Sequence, residues 1–145
     1  MPKAYASTVL NAPAREVWAL IGDFDALPLW HPGVADSAIE DGLTGRHVGA
    51  VRSFNLRDGA HLRERLLSFS DVDCHYSYNF EKTPFSVLNY QATLRVTPVT
   101  DGQRAFVEWW TTFDCEPEKI DDWVHTFAGI VFKGGLDALK ARFGG

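Results

Sequence analysis

The stretch PEKIDDWVHTFAGIVFKGGLDALKARF, residues 117–143, decides how the rest of the chain is read. Ile120, Trp123, Val124, Phe127, Ile130 and Val131 recur at helical spacing and make one broad apolar stripe, the pattern of a long amphipathic helix. Pro117 suits the first helical position. Glu118, Asp121 and Asp122 place negative charge at the electropositive end, with Lys133, Lys140 and Arg142 toward the other. Gly134 and Gly135 cut against a plain helix, since each glycine costs about 1 kcal/mol relative to alanine in a helix interior. A bend there, or the close approach of another backbone or a ligand, would account for them. Trp123, Phe127 and Val131 are open to two readings, as core packing or as the roof of a cavity.

Upstream of the helix the chain alternates. Residues 104–114 read as the last strand, but both faces are partly apolar: Phe106, Glu108, Trp110 and Thr112 oppose Val107, Trp109, Thr111 and Phe113. Periodicity does not choose between them. Thr100-Asp101-Gly102 turns the chain back to a strand over 87–99, where Leu88, Tyr90, Ala92, Leu94 and Val96 share a face. Residues 81–86 form a loop around Pro84. Before it, Cys74, Tyr76, Tyr78 and Phe80 alternate with His75, Ser77 and Asn79, which puts the tyrosines inside. Leu62, Glu64 and Leu66 share one face against His61, Arg63 and Arg65, so Glu64 looks inward from an apolar face. Arg57-Asp58-Gly59 is a hairpin signal, preceded by strands over 34–41 and 48–56 with a glycine-bearing link between them. At the start stand a strand over 3–11, a short helix from Pro13 to Ile21, and a helical turn at Leu27 that prolines 28 and 32 cut short. This order is α+β: an antiparallel sheet of about seven strands with one face free to cover the long helix.

The length, 145 residues, fits a single domain over 1–145 with its own core. Two cysteines, Cys74 and Cys115, are too few for a disulfide framework and suit a reducing compartment. No long apolar run opens the chain, so the expectation is a cytoplasmic protein without stable membrane insertion. A net charge of -5 with scattered basic residues argues against nucleic acid. Five tryptophans, four tyrosines and ten phenylalanines exceed ordinary packing needs and suit an apolar pocket. His47, His61, His75 and His125 share no metal-ligand spacing, and neither a P-loop nor a dinucleotide fingerprint occurs. The expectation is no metal and no cofactor.

Local residues along nearly the whole chain carry a resemblance: Ala12-Pro13, Val17-Trp18, Asp23-Phe24, Trp30-His31-Pro32, Val48-Gly49-Ala50-Val51-Arg52, Glu64-Arg65-Leu66-Leu67, Tyr76-Ser77-Tyr78, Asn89-Tyr90-Gln91-Ala92-Thr93-Leu94 and Val107-Glu108-Trp109. In this order they resemble the START-like superfamily, also called SRPBCC, and within it the bacterial polyketide cyclase/dehydrase family. The resemblance implies a helix-grip fold: a curved sheet wrapped around the C-terminal helix, two short helices after the first strand, and a cavity between sheet and helix. Plant abscisic acid receptors show a similar Glu-Arg-Leu, Asn-Tyr and Val-Glu arrangement. By that likeness Glu64, Tyr90, Ala92 and Glu108 face the cavity, Trp110 shares the face of Glu108, His31 takes the place of a ligand-facing basic residue, and Arg52 lies on the same wall. Departures stand out: those receptors have lysine where His31 sits, Pro84-Phe85 does not reproduce their gate and latch, and Gly134-Gly135 is foreign to their helix.

The candidate ligand contacts are therefore His31, Arg52, Glu64, Tyr76, Tyr78, Tyr90, Ala92, Glu108, Trp110, Trp123, Phe127 and Val131. Interior carboxylates are costly unless paired, hydrogen-bonded or protonated. Arg52 is the evident partner of Glu64, whether as a structural ion pair or as a charged cavity wall. Glu108 has no evident partner in sequence and is the first candidate for acid/base work, with Tyr90 and His31 after it. Three functions follow. The first is binding of a small hydrophobic or aromatic, lipid- or polyketide-like molecule; a cavity smaller than about 150 Å³, well under the roughly 300 Å³ of common ligand sites, would count against it. The second is a cofactor-independent cyclase/dehydratase that moves protons with Glu108, Tyr90 or His31. The third is a protein-interaction module, which an exposed Trp109 on the convex face would favour and which a homodimer would equally explain.

Overall fold

Gly59 and Gly102 hold φ at 96° and 84°, the positive backbone angles that tight turns between antiparallel strands require, and the chain on either side of each pairs with itself. The structure is a computed structural model that describes residues 1–145. Strand β1 (Lys3–Leu10) is followed by helix α1 (Ala14–Ile21) and the short α2 (Leu27–Trp30). Strands β2 (Val34–Ile39), β3 (Val51–Leu56), β4 (His61–Ser70), β5 (His75–Lys82), β6 (Leu88–Val99) and β7 (Arg104–Asp114) then run as a meander. The sheet order is β1-β7-β6-β5-β4-β3-β2, so β1 closes against β7 and every neighbour is antiparallel. Register shifts at Val34/Asp36, Arg63/Glu64, Leu66/Ser68 and Leu88/Gln91 bend the strands, and the sheet curves around a C-terminal helix, α3 (residues 117–143). The fold is the α+β helix-grip arrangement.

Helix α3 begins with a 3₁₀ turn (Pro117–Lys119), continues as α-helix (Ile120–Val124), widens to π-helix (His125–Phe132) and ends as α-helix (Lys133–Phe143). Its junction residues His125 and Lys133 keep right-handed helical angles, so the helix runs through Gly134-Gly135 unbroken. Close approach explains Gly135: a Cβ there would lie 2.8 Å from His31 Cδ2 and 2.9 Å from Trp109 Cζ3 and Trp30 Cζ3. Rings, rather than another backbone or a ligand, occupy that space.

Three expectations about side-chain direction are corrected by the register. Leu94 pairs with Trp109 and Arg95 with Glu108, and residues directly opposite share a face. Leu94 and Trp109 are buried on the inner face, so Glu108 and Trp110 point to the convex face, opposite to the direction the family likeness implied. Trp109 is 2% exposed and so is not the outward tryptophan of an interaction surface; Trp110, stacked with Tyr5, takes the convex face instead. Leu88 lies 71% exposed because Asn89, at φ 54°, belongs to a bulge that shifts the pairing before Gln91. From Tyr90 onward β6 faces as the alternation predicts, with Tyr90, Ala92, Leu94 and Val96 buried.

Candidate functional site

Between the concave face and α3 lies a cavity of about 390 Å³. Strands β3 to β5 contribute Arg52, Phe54, Leu62, Glu64, Tyr78 and Phe80; β6 and β7 contribute Tyr90 and Trp109; α3 contributes Phe127, Ile130, Val131 and Gly134. The segment from Leu27 to Val34 closes one side through His31, Pro32 and Gly33. The exposed members of the lining, Pro32, Arg57, Asp58 and Ile130, mark the mouth. Its rim is braced: the Arg57 side chain donates from Nε to the Pro32 carbonyl at 2.7 Å, and the Arg57 backbone N–H donates to the Gly33 carbonyl at 3.0 Å.

One charged pair sits in this apolar wall. Arg52 and Glu64 are opposite each other on β3 and β4, and both are buried, at 1% and 4% exposure. Glu64 Oε1 accepts from Arg52 Nε at 2.9 Å and lies 2.7 Å from Nη2, while Nη1 donates to the Phe24 carbonyl at 3.0 Å. The guanidinium carbon stands 3.9 Å from the Phe24 ring centroid and 4.8 Å from that of Tyr78. Burial pushes the Glu64 carboxyl up and Arg52 pulls it back. Burial also opposes the charge on Arg52, but Glu64 holds it protonated.

The tyrosines form the rest of the polar lining. The Tyr78 hydroxyl accepts from Trp109 Nε1–H at 3.0 Å and has the Tyr90 hydroxyl as a neighbouring acceptor for its own proton. Tyr90 stacks on Phe80 with centroids 3.8 Å apart and meets Phe127 edge-on at 5.1 Å. Burial drives both phenols to titrate far above their ordinary range, so each is a neutral O–H group.

His31 is held at both nitrogens. Nδ1 accepts from the Gly33 backbone N–H at 3.0 Å, and Nε2 lies 2.7 Å from the Val131 carbonyl. An N–H donor on one side and a carbonyl acceptor on the other fix the neutral tautomer with its proton on Nε2. Burial lowers its proton affinity, and the Arg52 charge lowers it further, against the Val131 hydrogen bond. His31 thereby straps the end of α2 to the π-helical turn of α3.

The structure brings His31, Arg52, Glu64, Tyr78, Tyr90, Phe127 and Val131 together around one cavity. Tyr76 and Ala92 face the same way but lie in the core beside the cavity rather than on it. Trp123 stacks outside Phe127, centroids 5.6 Å apart, and borders a separate polar groove. Glu108 belongs to a different site. On the convex face its carboxylate accepts from the Tyr5 hydroxyl at 2.6 Å and from Arg95 Nη2 at 2.8 Å. Burial opposes its charge, but Tyr5 and Arg95 outweigh this and hold its carboxyl below the ordinary range. Trp110 lies beside it with the Arg95 guanidinium 5.2 Å from its ring. Trp109, Phe80 and Phe85 also line the cavity, although sequence reasoning does not single them out as contacts. A signal for Trp109 exists in the β6–β7 hairpin, where the pairing Val99↔Arg104 at the turn fixes the partners as far back as Gln91↔Thr112.

Comparisons agree with this architecture. No curated protein matches the chain at the sequence level. Among solved structures, the protein XoxI from Bacillus cereus is similar, with 33% identity, a TM-score of 0.89, and coverage of 99% of this chain and 96% of that one. A Thermobifida fusca protein solved by solution NMR shows 34% identity and a TM-score of 0.91, covering 99% and 94% of the two chains. Ginseng major latex-like protein 151 from Panax ginseng, at 14% identity and a TM-score of 0.73 over 97% and 96%, shares the fold alone. Residues 1–144 match the family described as polyketide cyclase / dehydrase and lipid transport, and the chain, with its START-like helix-grip sheet and lined hollow, belongs to that family.

Proposed function

We propose that the protein binds one small hydrophobic or aromatic molecule, lipid- or polyketide-like, in the cavity between the sheet and α3. The observation that carries this reading is the cavity's size and lining together. Its volume of about 390 Å³ lies in the range of small-molecule sites, roughly 300 to 1,000 Å³. Aromatic and aliphatic side chains dominate the wall, with few polar groups to fix orientation. His31, Arg52, Glu64, Tyr78, Tyr90, Phe127 and Val131 are the contacts; Tyr76 and Ala92 support them from behind.

Binding suits this lining better than proton transfer does. A general base needs a free lone pair within reach of substrate; His31 has both nitrogens engaged, and Glu64 is ion-paired with Arg52, which suits accepting a hydrogen bond over taking up a proton. Glu108, the first acid/base candidate, lies across the sheet from the cavity. Native mass spectrometry of freshly purified protein tests the proposal: a mass excess matching one small molecule, lost on denaturation, is expected. A protein that carries nothing and takes up no member of a panel of fatty acids and aromatic polyketides would contradict it.

A further inference from the structure

The carboxylate of Glu64 is used on one side only. Oε1 takes both contacts from Arg52, at 2.9 and 2.7 Å, whereas Oε2 receives no hydrogen bond from the protein although the residue is 4% exposed and lies on the cavity wall. Solvent in the open cavity can reach that oxygen, and a ligand that displaces the solvent must supply a donor in its place or leave the oxygen desolvated and unpaired. We propose that the ligand is an uncharged molecule bearing a hydroxyl donor, such as a phenol, enol or alcohol, whose O–H is taken by Glu64 Oε2. This rests on the cavity being the binding site and names the chemistry that site selects.

Two further observations narrow the class. Arg52 already neutralises Glu64, and its remaining contacts are the Phe24 carbonyl at 3.0 Å and the rings of Phe24 and Tyr78 over its guanidinium. Inside the cavity no unpaired cation is therefore offered to an anionic head group, Arg57 lying out at the exposed mouth with its side chain on the Pro32 carbonyl, and a cationic ligand would face the Arg52 charge. The Tyr78 hydroxyl already accepts from Trp109 and has the Tyr90 hydroxyl beside it as an acceptor, so the tyrosines have protein partners and Glu64 Oε2 is the acceptor left to the ligand. Sites built to hydrogen-bond a ligand group reject analogues lacking it far more strongly than apolar pockets reject a change of size.

The experiment compares 2-naphthol with 2-methoxynaphthalene, which keeps the ring and the oxygen acceptor but has no donor. Each is titrated calorimetrically at pH 7 into the wild-type protein and into the double variant Arg52→Met/Glu64→Leu, which removes the ion pair as a unit and avoids stranding a buried charge. Circular dichroism confirms that the variant is folded; Arg52→Leu/Glu64→Met, which also removes both charges, serves as a second variant if it is not. Dividing the ratio of dissociation constants in the wild type by that in the variant cancels the probes' difference in size and solubility. An advantage of about tenfold or more for naphthol in that quotient is expected, as for a hydrogen bond to a charged group. A quotient within about twofold of one, while both probes bind, overturns the hydroxyl-donor inference and leaves cavity binding standing. Failure of both probes to bind the wild type overturns the inference and the cavity reading together.

Discussion

Arg52 and Glu64 are buried together, so removing one strands the other. Arg52→Met or Glu64→Gln alone is expected to lower the stability of the fold by about 3–5 kcal/mol, and Arg52→Met/Glu64→Leu to recover most of it; the urea midpoints of the three variants check this. Glu108 behaves differently. Its carboxyl titrates below the ordinary value of 4.5 in the folded state. Its stabilising contribution is therefore present above that pH and lost as pH falls through the folded value. Glu108→Gln should flatten the loss of stability on acidification while leaving ligand binding untouched, since the side chain faces away from the cavity. Urea titrations from pH 7 to about 3 would show it, and an unchanged acid limb would contradict the Tyr5–Arg95 pairing. At this scale Glu64 was legible because its strand alternates cleanly between Leu62 and Leu66. Glu108 was not, because Trp109 and Trp110 make both faces of β7 apolar and only pairing with β6 resolves them. His31 was visible as a residue, but its strapping role depends on the Val131 carbonyl, which lies 100 positions away in sequence.

Helix α3 carries two adjacent glycines with opposite expected responses. A Cβ at Gly134 would meet no neighbour nearer than 3.8 Å, whereas one at Gly135 would lie 2.8 Å from His31. Gly134→Ala should gain up to about 1 kcal/mol from helix propensity, and Gly135→Ala should lose about 1–3 kcal/mol by overpacking against Trp30, His31 and Trp109. Thermal unfolding of the pair decides, and equal shifts would refute the packing. The strap at His31 adds a pH signature. Its folded-state affinity lies below the ordinary 6.5, so the unfolded chain binds more protons as pH drops below that value, and stability declines there. His31→Ala is expected to lower stability by about 1–2 kcal/mol at pH 8 and to abolish its share of the decline below pH 6.5; urea titrations at pH 8, 6.5 and 5.5 would read both. The helix itself was legible from its stripe and end charges. Its π-helical turn was not, because residues 125–132 keep ordinary helical angles at both ends and differ in hydrogen-bond partner, which apolar spacing does not encode.

Over the whole molecule, alternation, turn residues and chain order sufficed for the sheet and the helix it grips, because β4, β5 and β6 each have one largely apolar face. The hollow between them follows from tertiary packing. Large rings prop the helix off the sheet: Phe127 meets Tyr90 at 5.1 Å and Phe113 at 5.2 Å, and Phe132 stacks on Trp109 at 4.6 Å. How much room remains depends on these distances, so the aromatic content hinted at a pocket without giving its volume. No helix is long and apolar enough to cross a membrane. The direct test of a ligand-holding cavity is titration of the fluorescent probe N-phenyl-1-naphthylamine into the wild-type protein and into Val131→Trp, which fills the space from α3, with thermal unfolding showing that both are folded. Saturable binding at one probe per chain in the wild type, weakened at least about tenfold in Val131→Trp, is expected. Equal binding to both proteins, or none to either, would contradict it.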